Sequence, residues 1–351
     1  MTFFDAWKQI FSAVFTALLA FSPTIVQMVS GIPLQQSPSV PILDSFDEIV
    51  RNKLHTDTRY QQASVTETLS HAGEKRATTP VEDAIVNIFC TAHTSESVRT
   101  VTGSGVFIDN QGIILTSAHV AQFLLLPKDD PQIATRCVIR QGSPAISKYE
   151  AELLYISPAW IERNASQLSL DHPSGTGQDD FALLYVTDAF EGNVPDRFPA
   201  LQPATSTDLY ITMVVEAAGY PADRLTSENV QAPLVPTVAT TTVSTLFTFA
   251  GKEIDLFAIA PSNVGREGSS GGPILDEDGT VIGLIATRGK NDKDGVQSLR
   301  AITLSYIDRI LREETGLDLA QTLTGEIGLR AQIFRETIAP HLRELLLIPH
   351  K

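Results

Sequence analysis

From residue 81 onward the chain alternates short apolar runs with clusters of turn-forming residues. Val86–Cys90, Gly105–Ile108, Ile113–Thr116, Cys137–Ile139, Ala151–Tyr155 and Phe181–Val186 are β-rich. Asp109-Asn110-Gln111-Gly112 separates the second run from the third and reads as a hairpin turn. The texture repeats in Tyr210–Ala217, Thr237–Phe249, Glu253–Ile259, Pro273–Leu275, Thr280–Ala286 and Gln297–Ile302. Such runs, spaced about ten residues apart, predict an all-β body of barrels or sandwiches rather than alternating β and α units. The Pro-containing passage Phe198–Thr205 joins two halves. No period repeats cleanly, which excludes a solenoid.

Beyond Leu304 the apolar period lengthens to that of a helix. Ser305-Tyr306-Ile307-Asp308 resembles a capping box, Ile307, Ile310 and Leu311 follow helical spacing, and Gly316 is the expected stop. Residues 326–347 predict a second helical stretch with Ile327, Ala331, Phe334 and Ile338 on one face. Pro340 is expected to kink or restart it.

The front of the chain has a different character. No charge falls between Ile10 and Val26; Lys8 precedes this run, and the next basic residue is Arg51. That asymmetry predicts an N-terminal hydrophobic helix that starts inside and exports the rest of the chain. Seventeen residues are short for a span, and Pro23 interrupts them. A signal cleaved near Val29-Ser30-Gly31 and an uncleaved anchor both stay open, with membrane attachment through residues 10–29 in the second case. Residues 32–80 are Pro-rich and then polar, the composition of a linker, stalk or pro-segment, with a short helix around Ser45–Lys53.

Composition narrows the function. A chain of 351 residues has room for about two folded units, and 43% apolar residues support a sizeable core. Lys+Arg 26 against Asp+Glu 41 leaves a net charge of −15, which repels phosphate backbones and disfavours nucleic acid as a partner. Two cysteines exclude a disulfide-dense scaffold and a four-cysteine zinc site, and leave one bridge open. His93, His172, His341 and His350 are scattered without metal-ligand spacing, and no phosphate loop or dinucleotide fingerprint occurs. The expectation is therefore no metal and no cofactor.

Three motifs carry chemistry. In Gly268-Ser269-Ser270-Gly271-Gly272-Pro273, glycines on both sides let the backbone turn tightly and expose a hydroxyl. They also let backbone N–H groups converge where an oxyanion would form. A serine hydroxyl still needs a base. Thr116-Ser117-Ala118-His119 follows an apolar strand, and its small residues leave room for the imidazole to face a cleft. Asp179-Asp180-Phe181-Ala182-Leu183-Leu184 puts acids at the head of another apolar strand. Either aspartate also fits a simple turn cap; Asp180 abuts the strand and is the candidate chosen over Asp179 to hold the histidine's N–H.

In this order, His, Asp, Ser, the chain resembles the trypsin/chymotrypsin-like serine peptidases, particularly the bacterial branch related to the high-temperature-requirement proteases. The likeness covers about residues 81–315, including GSGVFID before the histidine and GTVIGLIA after the serine. It implies two six-stranded antiparallel Greek-key barrels, 81–197 and 198–304, followed by C-terminal helices over 305–351. The implied activity is serine endopeptidase cleavage of protein or peptide substrates by an exported enzyme, periplasmic, extracellular or anchored facing outward. Ser270 is the implied nucleophile, His119 the base, Asp180 its support, and the N–H groups of Gly268 and Ser270 the oxyanion hole. Val264, six residues before the nucleophile, is implied at the base of the specificity pocket, with Ile285, Ala286 and Thr287 as the neighbouring wall. This apolar set predicts a small or medium apolar preference. Cys90 and Cys137 lie on strands that can be neighbours in this family, which implies a disulfide.

The chain also departs from the family. Ser269 stands where trypsin-type zymogens place an aspartate, so activation by a newly freed N-terminus is not expected. The 36 residues after Thr315 are too few for a PDZ domain. Asp171–Gln178 reads as a flexible loop over or beside the cleft. The competing reading is a surface-anchored binding or scaffold protein on a peptidase fold that no longer cleaves.

Overall fold

The computed structural model describes residues 79–94, 98–128, 130, 133–167, 175–222, 233–249, 251–291 and 297–347. The hydrophobic segment 1–31, the helix around 45–53, nearly all of the linker 32–80 and the 171–174 part of the expected loop lie outside the described residues.

Six strands close the first barrel: β1 (Ile85–Thr94), β2 (Val98–Phe107), β3 (Ile113–Thr116), β4 (Ile133–Gln141), β5 (Ile146–Ile156) and β6 (Ala182–Ala189). Their order around the barrel is β1-β2-β3-β6-β5-β4. The second barrel comprises β7 (Val214–Gly219), β8 (Thr237–Phe247), β9 (Leu256–Ile259), β10 (Pro273–Leu275), β11 (Val281–Asn291) and β12 (Gln297–Thr303). It closes as β7-β8-β9-β12-β11-β10, the same order displaced by six strands. Every named pair is antiparallel. The expected all-β fold of two six-stranded barrels with C-terminal helices is what the chain forms.

Each strand coincides with or overlaps one of the apolar runs, because those runs carry the period-2 pattern that fills a barrel. Val215 and Ala217, Phe257 and Ile259, and Leu299 and Ala301 are such pairs, and all six lie in the second barrel's apolar core. Full burial of a side chain the size of Phe257 or Ile259 contributes about 1.5–3 kcal/mol. β3, β9 and β10 are buried at every position, so their runs are apolar without alternation, save for Thr116 at the end of β3. Cys90 and Cys137 are directly opposite in the β1–β4 register and are joined by a disulfide (S–S 2.04 Å).

The passage after β6 crosses from one barrel to the other. Phe198 packs against Phe107 and Tyr149 of the first barrel, with ring centroids 4.8 and 5.4 Å away. A few residues later, Ala204 N–H donates to Val281 O (2.9 Å) and Val281 N–H donates to Gln202 O (2.8 Å).

The C-terminal helix spans Leu304–Thr315 and ends at Gly316, whose φ of 80° is left-handed. Its N-cap is Thr303, whose Oγ1 accepts the Tyr306 N–H at 3.1 Å. This corrects the expected Ser305 capping box: Ser305 already lies inside the helix, and its hydroxyl meets that of Thr303 (2.9 Å). The second stretch runs as helix Ile327–Ile333, π-turn Phe334–Ile338 and helix Ala339–Leu347. Pro340 cannot donate to the preceding turn, and the widened π-turn just ahead accommodates its ring. Ile327, Ala331, Phe334 and Ile338 are all buried. The structure adds a helix at Pro158–Asn164 that the apolar pattern does not predict. Its signal is local: Ser157 Oγ accepts the Trp160 N–H (3.2 Å) and Pro158 takes the first helical position.

Candidate active site

The sheet register brings the histidine and the aspartate together. β3 and β6 are antiparallel with Thr116 opposite Ala182. The residues just after Thr116 therefore face those just before Ala182. His119 lies on a one-turn helix, Ala118–Ala121, immediately after β3. Asp180 lies just before β6. Its Oδ2 is 2.8 Å from His119 Nδ1, and its Oδ1 accepts the His119 backbone N–H at 2.9 Å. The aspartate side chain is 5% exposed and the imidazole 28%. Two bonds from one buried carboxylate fix both the ring and its backbone. A carboxylate can only accept, so Nδ1 carries a proton, and in the neutral ring the lone pair is on Nε2.

The serine turn is bolted onto the same strand end. Ser104 on β2 is fully buried and makes three bonds across the interface between the barrels. Its N–H donates to Ser270 O (2.7 Å), its hydroxyl donates to Gly268 O (2.7 Å), and its Oγ accepts the Tyr220 N–H (2.8 Å). A second link runs through the Ile285 carbonyl, which accepts both the Gly271 N–H (2.7 Å) and the Ser117 hydroxyl (3.0 Å). One carbonyl thus holds the residue after Ser270 and the residue two before His119. Ser117 is the N-cap of the His119 helix by position, but its hydroxyl makes no capping bond.

Glycine is required in this turn by close approach. Gly271 has φ +85°, and a Cβ there would lie 2.1 Å from Ser104 O and 2.5 Å from Thr116 Oγ1. Gly268 has φ +89°, and a Cβ would lie 2.5 Å from Tyr220 O. The Glu267 carbonyl accepts the Ala222 N–H at 2.6 Å. A trans peptide points its N–H opposite its carbonyl, so the Gly268 N–H is directed away from Ala222. Among the described residues, neither the Gly268 nor the Ser270 N–H donates to a backbone carbonyl.

The expected pocket residues are more deeply placed than His119. Val264, Ile285 and Ala286 are 0%, 1% and 3% exposed, and the first two belong to the core of the second barrel. The side chain of Thr287 lies outside the described residues. In the sequence, Ser104 and Ser117 read only as small residues near the histidine. Their bonding to Gly268 and Ile285 spans 164 and 168 residues of sequence, beyond the reach of local patterns.

Two closed barrels of matching strand order, with a His–Asp pair on one and a glycine-framed serine turn on the other, define the two-barrel serine peptidase class. Compared with known families, residues 103–284 match the trypsin-like peptidase domain, and the chain belongs to that family. By that membership it is a trypsin-like serine endopeptidase. Among solved structures, Deg5 is 21% identical, with 66% of this chain and 87% of that chain covered and a TM-score of 0.42. The Rv3671c protease from M. tuberculosis, in its active form, is 17% identical, with 71% and 94% covered and a TM-score of 0.42. No curated protein matches the chain.

Proposed function

We propose that the protein cleaves peptide bonds through an acyl-enzyme formed on Ser270. His119 Nε2 takes the hydroxyl proton as Ser270 Oγ attacks the substrate carbonyl. The N–H groups of Gly268 and Ser270 hold the oxyanion of the tetrahedral intermediate. His119 then protonates the leaving amine, and water repeats the sequence to release the acyl group. Asp180 keeps the imidazole in the required tautomer and supports its positive charge. The observation that carries this reading is the pair of hydrogen bonds that the Asp180 carboxylate accepts from the His119 backbone N–H and Nδ1, which presents Nε2 as the basic nitrogen of the neutral ring. The Ile285 carbonyl, shared by Ser117 and Gly271, ties that histidine's segment to the serine turn.

The substrate residue before the scissile bond is small or medium and apolar. Val264, Ile285 and Ala286 are apolar and buried and offer no partner for a substrate cation. A peptide panel is expected to show best cleavage after Ala, Val or Leu; best cleavage after Arg would contradict it. The enzyme is exported, cleaved or anchored through residues 10–29, a reading supported by the uncharged N-terminal run and by the Cys90–Cys137 disulfide.

The test of the mechanism is Ser270→Ala in the full chain with an unfolded protein as substrate. Turnover is expected to fall by on the order of 10⁴-fold or more while thermal stability is kept. Undiminished turnover would overturn the assignment, and an inactive wild-type protein would favour the scaffold reading.

A further inference from the structure

We propose that Asp179 is a positioning residue for the His119–Asp180 pair, gripped by Tyr306 and Arg163 so that two peripheral helices set the site's geometry. The proposal rests on the triad reading above. Asp179 and Asp180 are consecutive and both buried, yet their carboxylates go to different places. Asp180 serves His119. Asp179 Oδ1 accepts the Tyr306 hydroxyl, and Oδ2 accepts an N–H of the Arg163 guanidinium.

The backbone makes this divergence possible. Asp179 has φ +58° and, with Thr212, is one of the non-glycine residues in the left-handed region among the described residues. A side chain there crowds its own carbonyl, and the conformation persists only where surrounding contacts over-determine it. Here the contacts are explicit. Asp180 N–H donates to Gly177 O (3.2 Å), and Phe181 N–H donates to Asp179 O (2.9 Å). These form a tight turn into β6, with the Asp179 carboxylate as its outer handle. Relaxing φ to the ordinary negative region would swing the next residue, Asp180, away from His119.

The grip is itself braced. Tyr306 lies in the first turn of Leu304–Thr315, with its ring edge-on to Phe249 (5.1 Å between centroids) and the Arg309 guanidinium over its face (5.2 Å). Arg163 lies on Pro158–Asn164, the helix capped by Ser157. Glu314, near the far end of the Tyr306 helix, accepts the hydroxyls of Tyr155 and of Ser157 (3.0 Å for the latter). The chain of contacts therefore closes on itself. Asp179 binds Tyr306; the helix carries the link to Glu314; Glu314 binds Ser157; the second helix carries it to Arg163, which returns to Asp179. Among the described residues, the charged and titratable groups around Asp179 are Arg163, Tyr306, Tyr155 and Glu314. Arg163 offsets the charge of one carboxylate so that two adjacent acids can be buried together.

The experiment compares Asp179→Ala, Asp179→Asn and Tyr306→Phe in the full chain, measuring kcat, KM and the pH profile of kcat/KM. Tyr306→Phe keeps the ring against Phe249 and removes only the hydroxyl, so it remains informative if the alanine variant folds poorly. Asp179→Ala is expected to lower kcat by about 10²-fold, the effect of a misplacement on the order of 1 Å, with KM within about twofold. Tyr306→Phe is expected to lower kcat by roughly tenfold. In both, the acidic limb moves to lower pH, because a displaced Asp180 no longer favours the imidazolium. Asp179→Asn tolerates the left-handed backbone and keeps both contacts when its Oδ1 accepts from Arg163 and its amide N–H donates to the Tyr306 oxygen; it is expected to retain kcat within about fivefold. Wild-type kcat and an unmoved acidic limb in the alanine and phenylalanine variants would overturn the proposal, as would a loss confined to thermal stability. Wild-type turnover that persists in Ser270→Ala would instead overturn the triad reading, and this proposal with it.

Discussion

Ser104→Ala removes one oxygen from the interface between the barrels and leaves the backbone of β2 in place. In the native chain that oxygen donates to Gly268 O at 2.7 Å and accepts from Tyr220 N–H at 2.8 Å, and the residue is fully buried. Alanine fills nearly the same volume, so the cost is the desolvation of two backbone groups left without a partner. At about 1–3 kcal/mol for each of the two orphaned buried groups, the loss is roughly 2–6 kcal/mol. For a body of this size, that corresponds to a Tm lower by about 4–24 °C. The Gly268 carbonyl belongs to the peptide just after the candidate oxyanion donor, so the change also loosens the turn that aims it. Differential scanning calorimetry and kcat/KM on one peptide substrate give both readouts. The drop in Tm is expected together with a loss of roughly ten- to a hundredfold in kcat/KM, the range of a weakened oxyanion donor and its orientation. A variant with unchanged Tm and unchanged kcat/KM would refute the claim that Ser104 bolts the serine turn to the first barrel.

Two further predictions concern the turn and the helix. Gly271→Ala places a methyl 2.1 Å from Ser104 O at φ +85°, whereas Gly279→Ala meets nothing within 4 Å at φ +74°. The first is expected to abolish peptide cleavage; the second to cost about 1–2 kcal/mol in a denaturant titration with activity intact. Equal activity of the two variants would contradict the packing argument. Burial pushes the Glu314 carboxyl from the usual 4.5 up to about 7; the nearby negative charge of Asp179 adds to this, and its bonds to Tyr155 and Ser157 and the Arg163 charge oppose it. The folded chain thus holds a proton that the unfolded chain releases, so this group's contribution is most favourable below 4.5, declines as pH rises toward about 7, and is flat above. Glu314→Gln is expected to raise Tm relative to wild type more at about pH 8 than at about pH 5. The rise from 4.5 to about 7 sets an upper bound of about 3 kcal/mol on that difference. A difference independent of pH would contradict the assignment.

Much of the barrel architecture is legible because a barrel strand needs one covered face and a turn at each end, and this chain writes both plainly. Ile113–Thr116 and Pro273–Leu275 agree with the structure at both ends. Boundaries slip where pairing, not apolar content, decides them: β2 begins at Val98, its mixed Val98–Thr102 stretch held by pairing with His93 to Phe89, while the largely apolar Tyr210–Met213 stretch ahead of β7 stays outside the strand. Thr303 is hidden as a cap because Ser305 offers the same chemistry two residues later, and only the path of β12 into the helix decides between them. Asp180 stands out from Asp179 by its place against the strand. The partners of Asp179 are not readable at all. Tyr306 is 127 residues distant, and Arg163, though 16 residues away, sits on a helix that the apolar pattern does not show. Contacts of that kind arise from how the helices close over the barrels, not from any local pattern.

The most direct test of the mechanism is mass mapping after reaction with a fluorophosphonate, which captures only a serine whose proton has a base. Wild-type protein is expected to gain one adduct on the peptide containing Gly268–Pro273, with labelling lost in Ser270→Ala and strongly slowed in His119→Ala. An unlabelled wild-type protein, or an adduct mapped away from Ser270, would contradict it.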